Sequence, residues 1–254
     1  KNSRISRFKN SKFQDFKISR FQGFKTSRLE ESGVWIAGSL VLVQEMYKSL
    51  NDTLLQAATL KALAIHTADE AGSAQGPDYR FGWGLMNTAS AVDLIQRVGN
   101  GHFISEEILT NGDSLEFSIY SNGVVPIKAT ITWTDPPGTP ISPALNPPDI
   151  MLVNDLDLRI IHENGTEYFP WVLDPINPGY VATTGENIVD NVEQVFISEP
   201  EPGDFTIRIR HKSDIGDGQA FGLIISYGYS GPGTHHVASN GNDETGDGSE
   251  DNPF

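Results

Sequence analysis

Gly203-Asp204-Phe205-Thr206-Ile207-Arg208-Ile209-Arg210 decides the fold class. Apolar and polar residues alternate strictly from Phe205 onward. A period of two puts Phe205, Ile207 and Ile209 on one face of a strand and Thr206, Arg208 and Arg210 on the other. Strands with one dry and one wet face build antiparallel sheets. The same period recurs on both sides of this stretch. It runs through Leu115, Phe117 and Ile119, then Ile127, Ala129, Ile131 and Trp133, then Leu156, Leu158 and Ile160. Phe221, Leu223, Ile225 and Tyr227 close the series, and Val192–Ile197 reads as one more strand. Separated by Gly-, Pro- and Asn-rich loops, about eight strands predict an antiparallel jelly-roll β-sandwich over residues 103–229.

Upstream the period changes. Trp35, Leu40, Val41, Val43, Met46 and Tyr47 recur at helical spacing, with Gly38 and Ser39 small enough for close packing. Asn51 and Asp52 end this helix, and Asp52 or Thr53 is placed to cap the next. That second helix runs through Leu54, Ala57, Leu60 and Leu63 to the region of Thr67, and a third from Thr88 to Val98. Between them lies a Gly/Pro-rich loop, then Trp83 flanked by Gly82 and Gly84, which allow a sharp turn before the helix. The predicted class is therefore α plus all-β: a helical segment, residues 32–100, followed by the sandwich.

The two ends differ in kind. Phe13–Arg20 (FQDFKISR) is repeated at once as Phe21–Arg28 (FQGFKTSR). Residues 1–31 read as a basic octad-repeat segment, either a disordered tract or the product of an insertion or frameshift. Residues 1–28 hold nine Lys or Arg and the single acid Asp15. The rest of the chain then holds nine basic and 32 acidic side chains of the 18 and 33 in total. An acidic body argues against nucleic-acid binding. No apolar run reaches the roughly 18 residues of a membrane span. With no cysteine, disulfides, a thiol nucleophile and a thiolate zinc site are excluded. Residues 230–254 form an acidic, Gly-rich tail.

Three stretches in order resemble the subtilisin-like serine proteases over residues 36–98. Ile36-Ala37-Gly38-Ser39-Leu40-Val41-Leu42-Val43 is similar to the helix that follows the nucleophile. Leu60–Ala68 is similar to the next helix. Asp78-Tyr79-Arg80-Phe81-Gly82-Trp83-Gly84-Leu85-Met86-Asn87-Thr88-Ala89-Ser90-Ala91-Val92 is similar to the end of the catalytic domain. Val153-Asn154-Asp155-Leu156-Asp157-Leu158, Asp190-Asn191-Val192-Glu193-Gln194-Val195 and Pro202–Ile207 resemble the sandwich of oxidatively stable alkaline proteases, itself akin to the P domain of proprotein convertases. In the tail, His236–Asp243 and Asn252-Pro253-Phe254 resemble the opening of a secreted right-handed β-helix domain.

The resemblance implies a fragment of a secreted endopeptidase whose intact parent takes protein or peptide substrates through a Ser-His-Asp triad. Aligning the family's Gly-Thr-Ser-Met-Ala-x-Pro-x-Val-Ala-Gly run on Ala37-Gly38 puts Glu30 where the serine belongs. Ser32 is two residues away, about 200° round a helix. None of the six histidines stands in a His-Gly-Thr context, and His66 reads as a packed or capping residue. No catalytic residue is expected in this chain.

Asp155 and Asp157 share one strand face, where Asp190, Asn191 and Glu193 can approach them. Hard oxygen ligands of this kind suit calcium, or equally a hydrogen-bonded cluster tying loops together. Trp133, Trp171 and Tyr168 form either a sugar-binding platform or core. The rival to the protease reading is a non-catalytic module that binds carbohydrate or a cell surface, or that stabilises its neighbour. The helices of 35–98, cut from a larger domain, are expected to pack on the sandwich or stay partly loose.

Overall fold

The computed structural model describes residues 29–143 and 149–228. The described residues up to Ser39 and those from Leu40 onward form two compact units. The octad repeat and the acidic tail lie outside the described residues. Helix α1 (Leu29–Asn51) starts ahead of the expected Trp35. It stops where Asp52 takes a left-handed φ of 58°, a conformation that Asp tolerates better than most residues. Helices α2 (Ala57–His66) and α3 (Thr88–Gln96) follow. Neither Asp52 nor Thr53 caps α2. Its N-cap is Gln56, and the acceptor comes from another element: Glu106 Oε1 takes the Gln56 N–H at 2.6 Å and the Thr59 hydroxyl at 2.7 Å. At α3 the cap is local, with Asn87 Oδ1 accepting from Ser90 N at 2.9 Å.

The strands are β1 (His102–Leu109), β2 (Leu115–Ser121), β3 (Ile127–Trp133), β4 (Leu156–His162), β5 (Glu167–Tyr168), β6 (Trp171–Val172), β7 (Thr183–Thr184), β8 (Val192–Ile197), β9 (Gly203–His211) and β10 (Gln219–Ser226). They form two four-stranded antiparallel sheets, ordered β1-β10-β3-β8 and β2-β9-β4-β5, with β6-β7 as a separate ribbon. The last long strand lies between the first and third in one sheet, and the next-to-last between the second and fourth in the other. That is the double Greek key of a jelly roll. The expected alternation builds the core: Ile127, Ala129, Ile131 and Trp133 meet Leu156, Leu158, Ile160, Phe205, Ile207, Ile209, Phe221, Leu223 and Ile225, all buried.

The sheet β1-β10-β3 is covered on its other face as well. Three successive rows across it point outward: Glu106–Gly222–Thr132, Ile104–Ile224–Thr130 and His102–Ser226–Lys128. Helix α2 lies on all three. Thr132 Oγ1 donates to Ala58 O at 2.5 Å, Ile224 packs with Ala62, Leu63, Leu94 and Ile95, and His66 reaches Thr130 and Ser226. Gly222 sits against Thr59, whose nitrogen would lie 2.7 Å from any Cβ added there. Helices α2 and α3 are thus packed on the sandwich. The predicted turn round Trp83 is present: Gly82 and Gly84 have φ of 60° and 102°, and Gly84 lies against the Asp69 carbonyl, leaving no room for a side chain.

Candidate functional site

Strand β5 pairs only with Ile160 and Ile161, so on that side the first half of β4 lacks a strand partner. The edge strand of the opposite sheet fills the gap with a side chain. Glu193, opposite Ile131 in the β3–β8 register, points inward with the core residues and is 0 % exposed. Its Oε2 accepts the Leu158 N–H at 2.5 Å. The carboxylate closes a backbone group that would otherwise be buried unpaired.

On the outward face of β4, Asp157 and Arg159 are each 1 % exposed. Arg159 Nη2 lies 3.2 Å from Asp157 Oδ1, its Nη1 donates to Leu158 O at 2.7 Å, and its guanidinium lies 4.6 Å from the centre of the Phe169 ring. Lys212, just past β9, lies 3.0 Å from Asp157 Oδ1, 3.6 Å from Asp155 Oδ2 and 2.6 Å from Glu186 Oε2. Glu186 also bonds Arg159. Arg210 Nε stands 4.0 Å from Asp157 Oδ2. The hydrogen bond from Lys212, followed by that from Arg159, pulls the Glu186 carboxyl down to about 2. Burial raises Asp155 despite Lys212, and burial drives Glu193 well above the carboxylate range.

Four carboxylates therefore face two cations in close contact and a third at 4.0 Å. The arrangement leaves Asp155 Oδ1, Asp157 Oδ2 and Glu193 Oε1 buried with no hydrogen-bond partner among the described residues. Asp155, Asp157 and Glu193 can each offer a carboxylate oxygen to one point, these oxygens lying within 4.8 Å of one another.

The five residues singled out from the sequence divide three and two. Asp155, Asp157 and Glu193 come together. Asp190 and Asn191 precede β8 and turn away: Asp190 Oδ2 accepts from Asn187 at 3.3 Å, while Asn191 donates to Trp133 O at 2.7 Å and accepts from Lys61 at 2.9 Å. There they line a groove of about 270 Å³ with Lys61, Trp83 and Trp171. The three aromatic residues do not form one platform. Trp133 is core, Tyr168 packs against the core, and Trp171 lines the groove together with Trp83. Glu30 lies within α1. Sequence reasoning passed over Arg159, Lys212 and Glu186. Arg159 carried a signal, being a charge two residues from Asp157 on the same face of a strand otherwise apolar up to its closing His162. Glu186, in a loop, carried none.

No protein-family model and no curated protein matches the chain. Among solved structures it is similar to PliG, a periplasmic inhibitor of g-type lysozyme from Aeromonas hydrophila, at 12 % identity and a TM-score of 0.28. That match covers 50 % of this chain and 87 % of the other. It is also similar to the SPBc2 prophage-derived protein YomS, at 12 % identity and a TM-score of 0.26, covering 49 % and 95 %. Likenesses this loose carry no inference about activity.

Proposed function

We propose that the chain is a fragment of a secreted subtilisin-like endopeptidase, in which the jelly roll braces the protease helices and this segment contributes no nucleophile. One observation supports the reading above others: between Gly33 and Leu42 the exposed residues of α1 are apolar on every side. Trp35, Ile36 and Val41 are 50 %, 49 % and 65 % exposed. A stretch of helix that is apolar all round is built for burial against further protein. In the protease reading that protein is the catalytic sheet. The chain incubated with a fluorophosphonate probe is expected to remain unlabelled and to release no peptides from casein. The coding DNA upstream of Ser32, read in all three frames, is expected to contain a Gly-Thr-Ser-Met run. Labelling of the chain overturns the inactive assignment, and absence of the run from every frame removes the protease assignment.

The second part of the proposal concerns Asp155, Asp157 and Glu193. Three carboxylates that can each offer an oxygen to one point, each with one oxygen lacking a hydrogen-bond partner among the described residues, are the kind of hard ligand calcium takes. Binding would require Glu193 to release the proton that burial favours. A carboxyl raised in the folded state stabilises below about pH 4.5 and withdraws that stability as pH rises through its folded value. The contribution of Glu193 to metal-free stability should therefore decline toward higher pH, while calcium affinity should increase. At free calcium a hundredfold above Kd the gain is about 2.7 kcal/mol, several degrees in Tm at about 2–4 °C per kcal/mol. Calorimetry in CaCl2 and in EGTA reads this directly. Identical melting in both, across pH 6 to 8, would exclude the site. Glu193→Gln is expected to abolish the calcium response.

A further inference from the structure

Ser226 lies between two imidazoles. His66 Nε2 and His102 Nδ1 are each 2.8 Å from its Oγ. On the far side of His66, Nδ1 lies 2.9 Å from Thr130 Oγ1, which accepts from Gln194 Nε2 at 3.0 Å. His66 is 3 % exposed and is the last residue of α2; Thr130, Ser226 and His102 belong to the sheet beneath.

Proton counting limits what this chain can hold. Ser226 has one hydrogen and sits between two ring nitrogens, so it donates to one ring and accepts from the other. With both rings neutral, one direction satisfies every group: Gln194 to Thr130, Thr130 to His66, His66 to Ser226, Ser226 to His102. One added proton on His102 reverses the direction, and Thr130 then accepts from His66. A second proton has no solution. Both rings would donate to the same oxygen, whose own hydrogen would find no acceptor in the chain, and two cations would share one hydroxyl.

The charged surroundings do not relieve this. From β3, Lys128 donates to the His66 carbonyl at 3.1 Å, placing a cation beside the ring. From the end of α3, Arg97 opposes a charge on His102 and Asp93 favours it. Glu70 faces Lys128 from the following loop. Burial holds His66 well below its usual value, with Lys128 and His102 acting in the same sense. Burial, then Arg97, lowers His102.

We propose that Thr130, His66, Ser226 and His102 form an acid-release catch, which holds the carboxyl-terminal turn of α2 on the sandwich while its rings are neutral and frees it when both are protonated. The sign is fixed by linkage. Histidines depressed in the folded state bind fewer protons than in the unfolded state, so their contribution is present above about pH 6.5 and is lost as pH falls below it. That window lies above the range where ordinary carboxylates titrate.

Hydrogen exchange read by mass spectrometry, with labelling times corrected for intrinsic rates, tests this at pH 7.5 and 5.0. Protection of peptides covering residues 57–67 is expected to fall at least tenfold at pH 5.0, while β9 peptides keep theirs. In His102→Asn, where the second charge cannot form but an amide still meets Ser226, the acid loss of α2 protection is expected to shrink to what buried His66 contributes by itself. Unchanged α2 protection in the unsubstituted chain overturns the proposal, as does an acid loss in His102→Asn equal to that of the unsubstituted chain. Imidazole NMR titration of the unsubstituted chain needs no variant. Titration of either His66 or His102 at or above 6.5 overturns the proposal too.

Discussion

Alanine at position 222 is expected to pull α2 from the sandwich. A Cβ there would meet the Thr59 backbone, with Thr59 N and Oγ1 both 2.7 Å away. Thr59 is 0 % exposed and fixed by Glu106, so it has nowhere to move. The first turn of α2 is also tied by Thr132 at Ala58 and by Glu106 at Gln56, and lifting the helix breaks all three ties. Overpacking alone costs about 1–3 kcal/mol, and each lost hydrogen bond adds about 1 kcal/mol. The total is expected to reach about 3 kcal/mol or more by urea denaturation. Gly185→Ala is the control, because a Cβ there meets only Val172 Cγ2 at 3.7 Å. A Gly222→Ala protein as stable as that control would mean that α2 is not held as described.

Arg159→Met is expected to be the costliest substitution on the other sheet. It removes the guanidinium from beside Asp157 while both positions are buried. Breaking a buried pair from one side costs about 3–5 kcal/mol, because the surviving charge has lost its partner. Lys212 remains 3.0 Å from Asp157, which places the expectation at the lower end. Replacing both residues by apolar ones, Asp157→Leu with Arg159→Met, should recover more than half of the loss. Denaturation of the two variants side by side decides the point. A single variant within about 1 kcal/mol of the parent would show that the network contributes little.

The alternating strands were legible because half-buried strands write their burial into every second residue. Phe205-Thr206-Ile207-Arg208-Ile209 could be placed with no knowledge of its neighbours. Strand β1 was not legible, and the reason is local: Glu106 and Glu107 interrupt its pattern. Glu106 does so because it serves α2, a helix about fifty residues earlier, and single-strand periodicity holds no trace of such a partner. The same limit hid the α2 cap. For the candidate site, Asp155, Asp157 and Glu193 were found by side-chain chemistry. Asp190 and Asn191 were grouped with them by closeness in sequence to Glu193, yet a strand start separates their directions. Lys212 and Glu186 join through loops, where no period exists to read.

The place of β10 in its sheet has a consequence for synthesis. Gly222, Ile224 and Ser226 supply the middle of each row on which α2 rests, and they belong to the last of the described strands. As the chain leaves the ribosome, α2 emerges more than 150 residues before this strand. Through that interval its buried face, Ala62 and Leu63 included, has no surface to cover it. Domains that emerge first usually settle first; here the earlier segment must wait for the later one. A product that ends before residue 219 leaves the helix without its platform, with the apolar face of α2 uncovered.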